Sequence, residues 1–169
     1  MNRNKLLHKL CNDFNVSGRL LLYLHKFLSD RQTRLKVNDL IGEWLSSDNG
    51  TLAGTILETL LFIAYVHDTP LSIYPKFADD FAAMASGSDA AAVEVILQDT
   101  LDKLQIWTKK WNMDLNISKT KVMLFANNNP GQVTIGIDGV TIEQVDEFKY
   151  LGVMLDGKQM IRAKYDSHT

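Results

Sequence analysis

Two neighbouring acidic residues, Asp79 and Asp80, stand between short apolar segments of the chain. Desolvating two carboxylates so close together costs free energy unless a cation or hydrogen bonds offset their repulsion. Mg²⁺ suits such a pair, because it prefers hard oxygen ligands and often binds one or two protein carboxylates together with substrate phosphates. Clustered aspartates of this kind serve two-metal phosphoryl transfer. Because an Asp-Asp pair also occurs in ordinary solvated turns, the surrounding sequence must decide between the two interpretations.

The segments around the two aspartates predict a β-hairpin. Ile73–Ala78 and Phe81–Ala85 are short and apolar, and pairing them would present both carboxylates at the hairpin tip. A helix that we expect to be largely buried precedes the hairpin, running from Ile56 to near Pro70.

The longest helical pattern follows Ser88 and Asp89, where Ser88 suits the N-cap and Asp89 favours the positive end of the helix dipole. Apolar residues then recur at steps of three and four, which places one stripe of the helix against a sheet. The stripe comprises Ala90, Val93, Leu97, Leu101, Leu104, Trp107 and Trp111. We expect both tryptophans to pack in the core rather than to stack on nucleic-acid bases.

The remaining segments predict further helices and strands. Leucines at helical spacing on both sides of Ser17-Gly18 indicate a pair of N-terminal helices. Leu35 and Val37 alternate with polar residues, which predicts a strand paired with a second one around Glu43–Ser46. The C-terminal part predicts a strand over Val122–Phe125, a turn over Asn127–Gly131, a hairpin over residues 133–142 around Asp138-Gly139, and a last strand over Phe148–Met154. The order of elements indicates an α+β fold.

Composition limits the class of protein. The chain has 169 residues and 46% hydrophobic content, enough to bury the core of a single domain. A formal net charge of −2 gives no global attraction to nucleic acid, so phosphate binding must come from local basic clusters. The most apolar stretch, Thr55–Val66, is too short to span a membrane, and a single cysteine, Cys11, fits a reducing compartment. We therefore expect an intracellular protein, with nucleus or cytoplasm left open.

The motifs around the two aspartates resemble the reverse transcriptases of non-LTR retrotransposons, especially those of the jockey type. Phe77-Ala78-Asp79-Asp80 is similar to the family's Tyr/Phe-Ala-Asp-Asp box, and other matches occur in the family's order along nearly the whole chain. They are Leu28-Ser29-Asp30-Arg31, Leu60-Leu61-Phe62, Asp68-Thr69-Pro70, Trp107 to Trp111, Leu115-Asn116, Lys119-Thr120, Met123 to Phe125 and Tyr150-Leu151-Gly152-Val153.

This resemblance implies a polymerase palm, in which helices pack on one face of an antiparallel sheet. Residues 1–156 would form a partial reverse transcriptase domain that lacks the fingers and the first catalytic strand, and residues 157–169 would begin a thumb or form a disordered tail. The family's cofactor is Mg²⁺, and its partners are an RNA template, a DNA primer and deoxynucleoside triphosphates. No membrane partner is implied.

The resemblance also implies roles for particular residues. Asp79 and Asp80 would be catalytic metal ligands, and Lys119 would neutralise the triphosphate or protonate pyrophosphate. Tyr150, Leu151 and Gly152 would form the primer-grip hairpin. The alternatives are a solvated strand-edge lysine at Lys119 and a plain sheet core with a permissive glycine at the hairpin.

The basic residues Arg31, Arg34 and Lys36 alternate along the first predicted strand and would contact template phosphates, the alternative being a solvated strand face. Gly54 belongs to the segment that resembles the family's Gly-Val-Pro-Gln-Gly-Ser loop beside the nucleotide. The loop lacks the family's proline and glutamine, and Glu58 stands where the family has glycine.

The resemblance also implies that the chain begins after the strand that would carry the family's first catalytic aspartate. We therefore expect it to bind Mg²⁺ weakly and not to extend primers by itself. Two other functions stay open: a non-catalytic remnant of a decayed element with residual nucleic-acid binding, and a nucleotidyl cyclase-like palm that uses paired carboxylates on triphosphates.

Overall fold

The computed structural model describes residues 1–46, 55–70, 80–126 and 131–157. These residues form two compact units. The first unit contains the described residues of Met1–Phe81 together with Trp107–Met113, and the second contains Ala82–Ile106 and the described residues of Asp114–Thr169.

The first unit begins with the predicted pair of helices, α1 over Arg3–Asn12 and α2 over Gly18–Leu28. The side chain of Asn2 caps α1 by accepting a hydrogen bond from the Lys5 amide at 3.1 Å. Ser17 occupies the N-cap position of α2 in an extended conformation, without a side-chain capping bond. The prediction of two helices is confirmed, and the break between them covers residues 13–17, because Gly18 is the first residue of α2.

Helix α3 spans Ile56–Val66 and packs against α1. Its N-cap is Thr55, whose hydroxyl accepts a hydrogen bond from the Glu58 amide at 3.2 Å. The expectation of a largely buried helix is wrong. One face carries the buried Leu61, Tyr65 and Val66, whereas Ile56, Leu60 and Ile63 on the other are exposed among the described residues.

Between α2 and α3, the described residues 29–46 form two short β-ribbons. The inner ribbon pairs β2, Lys36–Val37, with β3, Leu40–Ile41. The outer ribbon pairs β1, Gln32–Thr33, with β4, Leu45–Ser46. The predicted pairing of the Leu35–Val37 strand with Glu43–Ser46 is therefore wrong. Asn38 adopts a positive φ of 54°, which reverses the chain at once and gives Val37 the partner Leu40.

Helix α4 spans Ala90–Trp111, as the periodicity predicts, and its last turn belongs to the first unit. The capping group is Asp89 and not Ser88: the Asp89 carboxylate accepts from the Ala92 amide at 2.8 Å, and the Ser88 hydroxyl donates to it. The hydrogen bond from Ala92 lowers the pKa of Asp89, with a smaller contribution from Ser88. A carboxylate outcompetes a hydroxyl here because it is the stronger acceptor.

The described residues of the second unit contain six short strands. They are β5 (Lys121–Val122), β6 (Gly136–Ile137), β7 (Val140–Thr141), β8 (Glu143–Gln144), β9 (Glu147–Tyr150) and β10 (Val153–Asp156). Strands β6 and β7 form the predicted hairpin at Asp138-Gly139, where both residues have positive φ. Strands β9 and β10 form a second hairpin, so the prediction of one strand over Phe148–Met154 is wrong. Strands β5 and β8 pair in parallel, and β5 covers only the start of the strand predicted over Val122–Phe125.

The core of the second unit packs one face of α4 against these strands. Its buried members are Val122, Val133, Ile135, Ile137 and Ile142, and the partly buried Ala90, Leu97 and Leu101 of the predicted stripe pack against them. The stripe is thereby confirmed for the turns of α4 that lie in this unit.

Polar side chains of α4 also bond to the backbone beside β6. The Gln98 amide donates to the Gly136 carbonyl at 3.0 Å and accepts from the Gly136 amide at 2.9 Å. Glu94 accepts from the Thr134 amide at 2.7 Å, two residues earlier. Side chains of α4 thus form hydrogen bonds with backbone groups in and beside β6. In a wider sheet, a neighbouring strand would form these hydrogen bonds.

The described residues show an α+β fold made of helices and five separate two-stranded pairs, four of them antiparallel. The hairpin predicted at the two aspartates is not tested, because residues 73–78 and Asp79 lie outside the described residues. Residues 81–87 follow without strand or helix. The predicted turn over residues 127–131 lies outside them except for Gly131. Among the described helices, none combines the length and apolar character needed to cross a bilayer.

Candidate functional site

Of the predicted metal-binding pair, the structure describes Asp80, which is exposed and belongs to the first unit. Asp79 and the predicted loop residue Gly54 lie outside the described residues. Within the described parts of the chain, no three histidine, cysteine, aspartate or glutamate side chains cluster in a way that could hold a metal ion. The carboxylate pair therefore remains a prediction from the sequence.

Lys119 lies in a turn before β5 and is exposed, so it does not sit on a strand edge as the alternative interpretation expected. The side chain of Asn116 shapes this turn by accepting hydrogen bonds from the Lys119 amide at 3.2 Å and from the Ser118 hydroxyl at 2.7 Å. The turn presents the Lys119 ammonium to solvent.

The basic cluster Arg31, Arg34 and Lys36 does not alternate along one strand as predicted. Arg31 precedes β1, Arg34 lies between the two ribbons, and only Lys36 is in a strand. Arg31 donates to the Phe27 carbonyl at 2.6 Å, at the end of α2. The Arg34 guanidinium lies 4.4 Å from the centroid of the exposed Trp44 ring, a cation–π contact. These three residues do not share one strand, because the tight turn at Asn38 pairs β2 with β3 and leaves β1 to pair with β4.

Tyr150, Leu151 and Gly152 form the end and the turn of the β9–β10 hairpin. Leu151 has φ 48° and Gly152 φ 84°, the left-handed pair that a two-residue turn requires. Every other described non-glycine residue with positive φ is an asparagine or an aspartate, which tolerate this region, so Leu151 is the strained exception. Its side chain is 45% exposed.

An ion pair between a buried lysine and a partly exposed aspartate, which the sequence interpretation missed, lies in the first unit. The Lys9 side chain of α1 is fully buried, pairs with the Asp68 carboxylate, and donates to the Tyr65 carbonyl at 2.6 Å. The Trp107 indole donates to the same carboxylate oxygen at 2.9 Å. We name Lys9, Asp68, Tyr65, Trp107 and Trp111 the Lys9 cluster.

The charges in the Lys9 cluster respond to burial and to each other. Burial lowers the pKa of the Lys9 ammonium, and the Asp68 carboxylate opposes this effect. Burial alone would raise the pKa of Asp68, but hydrogen bonds from Lys9 and Trp107 outweigh it and hold the pKa below its usual value. Lys9 lies on the apolar face of α1 with Leu6 and Leu10. A lysine on an apolar helix face was the sign in the sequence that this ammonium is buried and has a partner.

The C-terminal end of α4 is capped by side chains of two other helices. The Tyr65 hydroxyl donates to the Trp111 carbonyl, and the Lys5 ammonium donates to the Lys110 carbonyl at 2.5 Å. Backbone amides of Met113 and Asn112 satisfy the two preceding carbonyls. All four terminal carbonyls therefore have partners, and three helices meet at this point of the first unit. Trp107 and Trp111 are each 7% exposed, which confirms their prediction as core residues.

Comparison with known proteins decides the family. The family model described as "Reverse transcriptase (RNA-dependent DNA polymerase)" matches residues 4–155. The chain belongs to the reverse transcriptase family. The resemblance drawn from the motifs is thereby confirmed, and the matched region contains Asp79, Asp80, Lys119 and the Leu151 hairpin.

Several reverse transcriptases of mobile elements are similar to the chain. "RNA-directed DNA polymerase from mobile element jockey" of Drosophila melanogaster is 26% identical over 151 residues, which cover 83% of this chain and 16% of that protein. "Probable RNA-directed DNA polymerase from transposon X-element" of the same species is 28% identical over 141 residues, covering 79% and 16%. The chain thus spans about a sixth of the length of these relatives. No solved structure shows a significant match.

Proposed function

We propose that this chain forms the palm of an RNA-directed DNA polymerase of a jockey-like retrotransposon, in which Asp79 and Asp80 bind Mg²⁺ for nucleotidyl transfer. The match of the reverse transcriptase family across residues 4–155 supports this proposal, because that range contains Asp79 and Asp80, whose motif resembles the family's metal-binding box. The relatives named as RNA-directed DNA polymerases support it. We assign the polymerase activity to a parent enzyme with the length of those relatives.

The donor chemistry fits the proposed metal. Two adjacent carboxylates supply the hard oxygen ligands that Mg²⁺ prefers, and the exposed Asp80 leaves its carboxylate accessible to a cation. When bound, Mg²⁺ supplies positive charge for the phosphates of the incoming nucleotide. Lys119 presents an exposed ammonium that would neutralise the triphosphate or donate a proton to pyrophosphate.

Nucleic-acid contacts are assigned to the basic ribbon segment and to the β9–β10 hairpin. Arg34 and Lys36 are exposed and would contact template phosphates, with Arg31 at the start of the same segment. Tyr150, Leu151 and Gly152 would hold the primer, and Gly54 would lie beside the nucleotide. The proposed partners are an RNA template, a DNA primer and deoxynucleoside triphosphates.

By itself, the chain is expected to bind Mg²⁺ weakly and not to extend primers. The loop that resembles the family's nucleotide-binding segment lacks its proline and glutamine, and Glu58 replaces a glycine. Small errors in substrate position slow chemistry strongly, because a displacement of ~1 Å costs about a hundredfold in rate.

Two measurements test the metal proposal and the inactivity separately. Mn²⁺ titration followed by electron paramagnetic resonance should show weak binding that Asp79→Asn abolishes. The matched surface variant Asp99→Asn, which loses an exposed ion pair with Lys103, should bind as the wild type does. Unchanged binding by Asp79→Asn contradicts the metal site. Template-dependent primer extension by the wild type, absent from Asp79→Ala, would refute the inactivity.

Nucleic-acid binding is expected to be electrostatic. Fluorescence anisotropy with a primer–template duplex should show affinity that falls with salt and that Lys36→Gln weakens. Lys103→Gln removes one charge of the same kind from the exposed face of α4 and serves as the matched control. Salt-independent binding, or equal losses for the two variants, would contradict the assignment to the ribbon segment.

The non-catalytic remnant shares this fold and differs in activity. A chain that binds nucleic acid but fails to bind Mn²⁺ through Asp79 supports the remnant. The cyclase-like alternative loses support from the family match, and nucleotide turnover without template would be needed to revive it.

A further inference from the structure

The Lys9 ammonium sits in a cage of aromatic rings and one carboxylate. Its Nζ lies 3.8 Å from the centroid of the Trp111 ring, 5.1 Å from that of Trp107 and 5.4 Å from that of Tyr65. The Asp68 carboxylate pairs with it, and the Tyr65 carbonyl accepts a hydrogen bond from it at 2.6 Å. The side chain is fully buried, so these groups replace the water that surrounds an ordinary lysine.

These are the components of sites that recognise organic ammonium ions. Aromatic faces attract a cation through their quadrupoles, and the attraction grows when the cation is desolvated. The carboxylate compensates the full charge, and the carbonyl supplies a directed acceptor. The Trp111 Nε1 atom is buried without a hydrogen-bond partner among the described residues. Trp111 therefore interacts with the Lys9 ammonium through the face of its ring.

We propose that the Lys9 cluster is an ammonium-recognition site that the chain fills from within, and that truncation of Lys9 to alanine opens it to a primary alkylammonium ion. Lys9→Ala removes three methylene groups and the ammonium. The n-propylammonium ion is the free molecule that restores the same atoms. This proposal does not depend on whether the chain has polymerase activity.

The site fixes the start of the connection that follows α3. Asp68 is held by Lys9 and Trp107, and the next residue, Thr69, is 5% exposed and bonds through its hydroxyl to the Val66 carbonyl at 2.9 Å. In the sequence, this connection leads to Asp79 and Asp80. The ammonium therefore anchors the near end of the connection that carries both proposed metal ligands.

Chemical rescue tests the proposal. Lys9→Ala should unfold at lower urea concentration than the wild type, and n-propylammonium chloride should raise its midpoint in a saturable manner. Neutral n-propanol should not reproduce this rise, since it lacks the charge that Asp68 and the rings recognise. The wild type should not respond, because its own lysine fills the site. Lys9→Ala/Asp68→Asn should lose the response to the amine.

If Lys9→Ala fails to fold without a ligand, recovery of native tryptophan fluorescence in n-propylammonium becomes the readout. The wild type gives an independent signature: with lysine labelled at its ε-carbon, one ε-methylene proton signal should lie upfield of the others because of the Trp111 ring current. Equal effects of amine and alcohol would overturn the proposal, as would an absence of any displaced lysine signal.

Discussion

The phenolic hydroxyl of Tyr65 donates a hydrogen bond to the main-chain oxygen of Trp111, the last residue of α4. The same oxygen atom of Tyr65 accepts a bond from the Asn2 amide at 3.3 Å. Burial raises the pKa of this hydroxyl, which keeps it protonated and able to donate. One buried group thus joins the start of α1, the end of α3 and the end of α4.

Replacing Tyr65 by phenylalanine should destabilise the chain. Tyr65→Phe keeps the ring in its buried position but leaves the Trp111 carbonyl and the Asn2 amide without this partner, which costs about 1–3 kcal/mol. Urea denaturation followed by tryptophan fluorescence measures the loss. Tyr23→Phe removes a hydroxyl from a tyrosine that is 57% exposed and should leave the midpoint unchanged. Equal effects of the two variants would contradict the proposed role of the buried hydroxyl.

Asp68 should contribute stability that disappears in acid. Its folded-state pKa lies below the ordinary value of 3.8, so the unfolded chain takes up the proton first as the pH falls. The contribution is complete above 3.8 and is lost as the pH falls through the folded-state pKa. Urea midpoints across the acid range should therefore fall less steeply for Asp68→Asn than for the wild type. Asp99→Asn, at an exposed pair on α4, should keep the wild-type dependence.

Relieving the strain at Leu151 should stabilise the β9–β10 hairpin. Asparagine tolerates the left-handed conformation that Leu151 adopts, so Leu151→Asn should raise the free energy of unfolding by about 1 kcal/mol. The control is Asp138→Asn in the β6–β7 turn, where the native residue already tolerates positive φ and little change is expected. A fall in stability on Leu151→Asn would show that contacts of the leucine outweigh its backbone strain.

Substitution of Gln98 should destabilise the chain more than its position on a helix surface suggests. Gln98→Ala removes both bonds to Gly136 and leaves a part-buried amide and carbonyl unsatisfied, at a cost of about 1–2 kcal/mol. Near neutral pH, Gln98→Glu keeps the acceptor but sets a carboxylate against the Gly136 carbonyl and the Asp102 carboxylate, to which the Gln98 amide donates at 3.0 and 2.7 Å. It should therefore lose at least as much stability as Gln98→Ala, and equilibrium unfolding of the three proteins that places Gln98→Glu near the wild type would contradict this.

Local patterns predicted the helices and the β6–β7 hairpin well, for identifiable reasons. The period of the apolar residues defines α4, and Asp138-Gly139 imposes its own turn geometry. The pattern failed where backbone conformation at one residue decided the outcome. Leucine has no preference for the left-handed region, so local propensity predicted one continuous strand there, whereas the family resemblance implied the hairpin that Tyr150, Leu151 and Gly152 form.

The Lys9 cluster shows a different limit. Lys9 and Asp68 are 59 residues apart in the chain, and Asp68 and Trp107 are 39 apart. Periodicity identifies the apolar face of a helix but not the partner of a polar residue on it, because that partner is set by tertiary packing. The candidate carboxylates differ from the Lys9 cluster, because a local sequence motif is enough to identify them. Asp79 and Asp80 are adjacent, and their motif is local, whereas their geometry is still a prediction.

The capping of α4 by Lys5 joins groups that are 105 residues apart. During synthesis from the N-terminus, α1 is complete long before the ribosome releases its partner turn. Until then, Lys9 is without the two tryptophans that enclose it, and the leucines on the same face of α1 depend on other contacts. The first unit can therefore complete its packing only late in synthesis. Nascent chains that have not yet reached the end of α4 should expose α1 to chaperones or proteases.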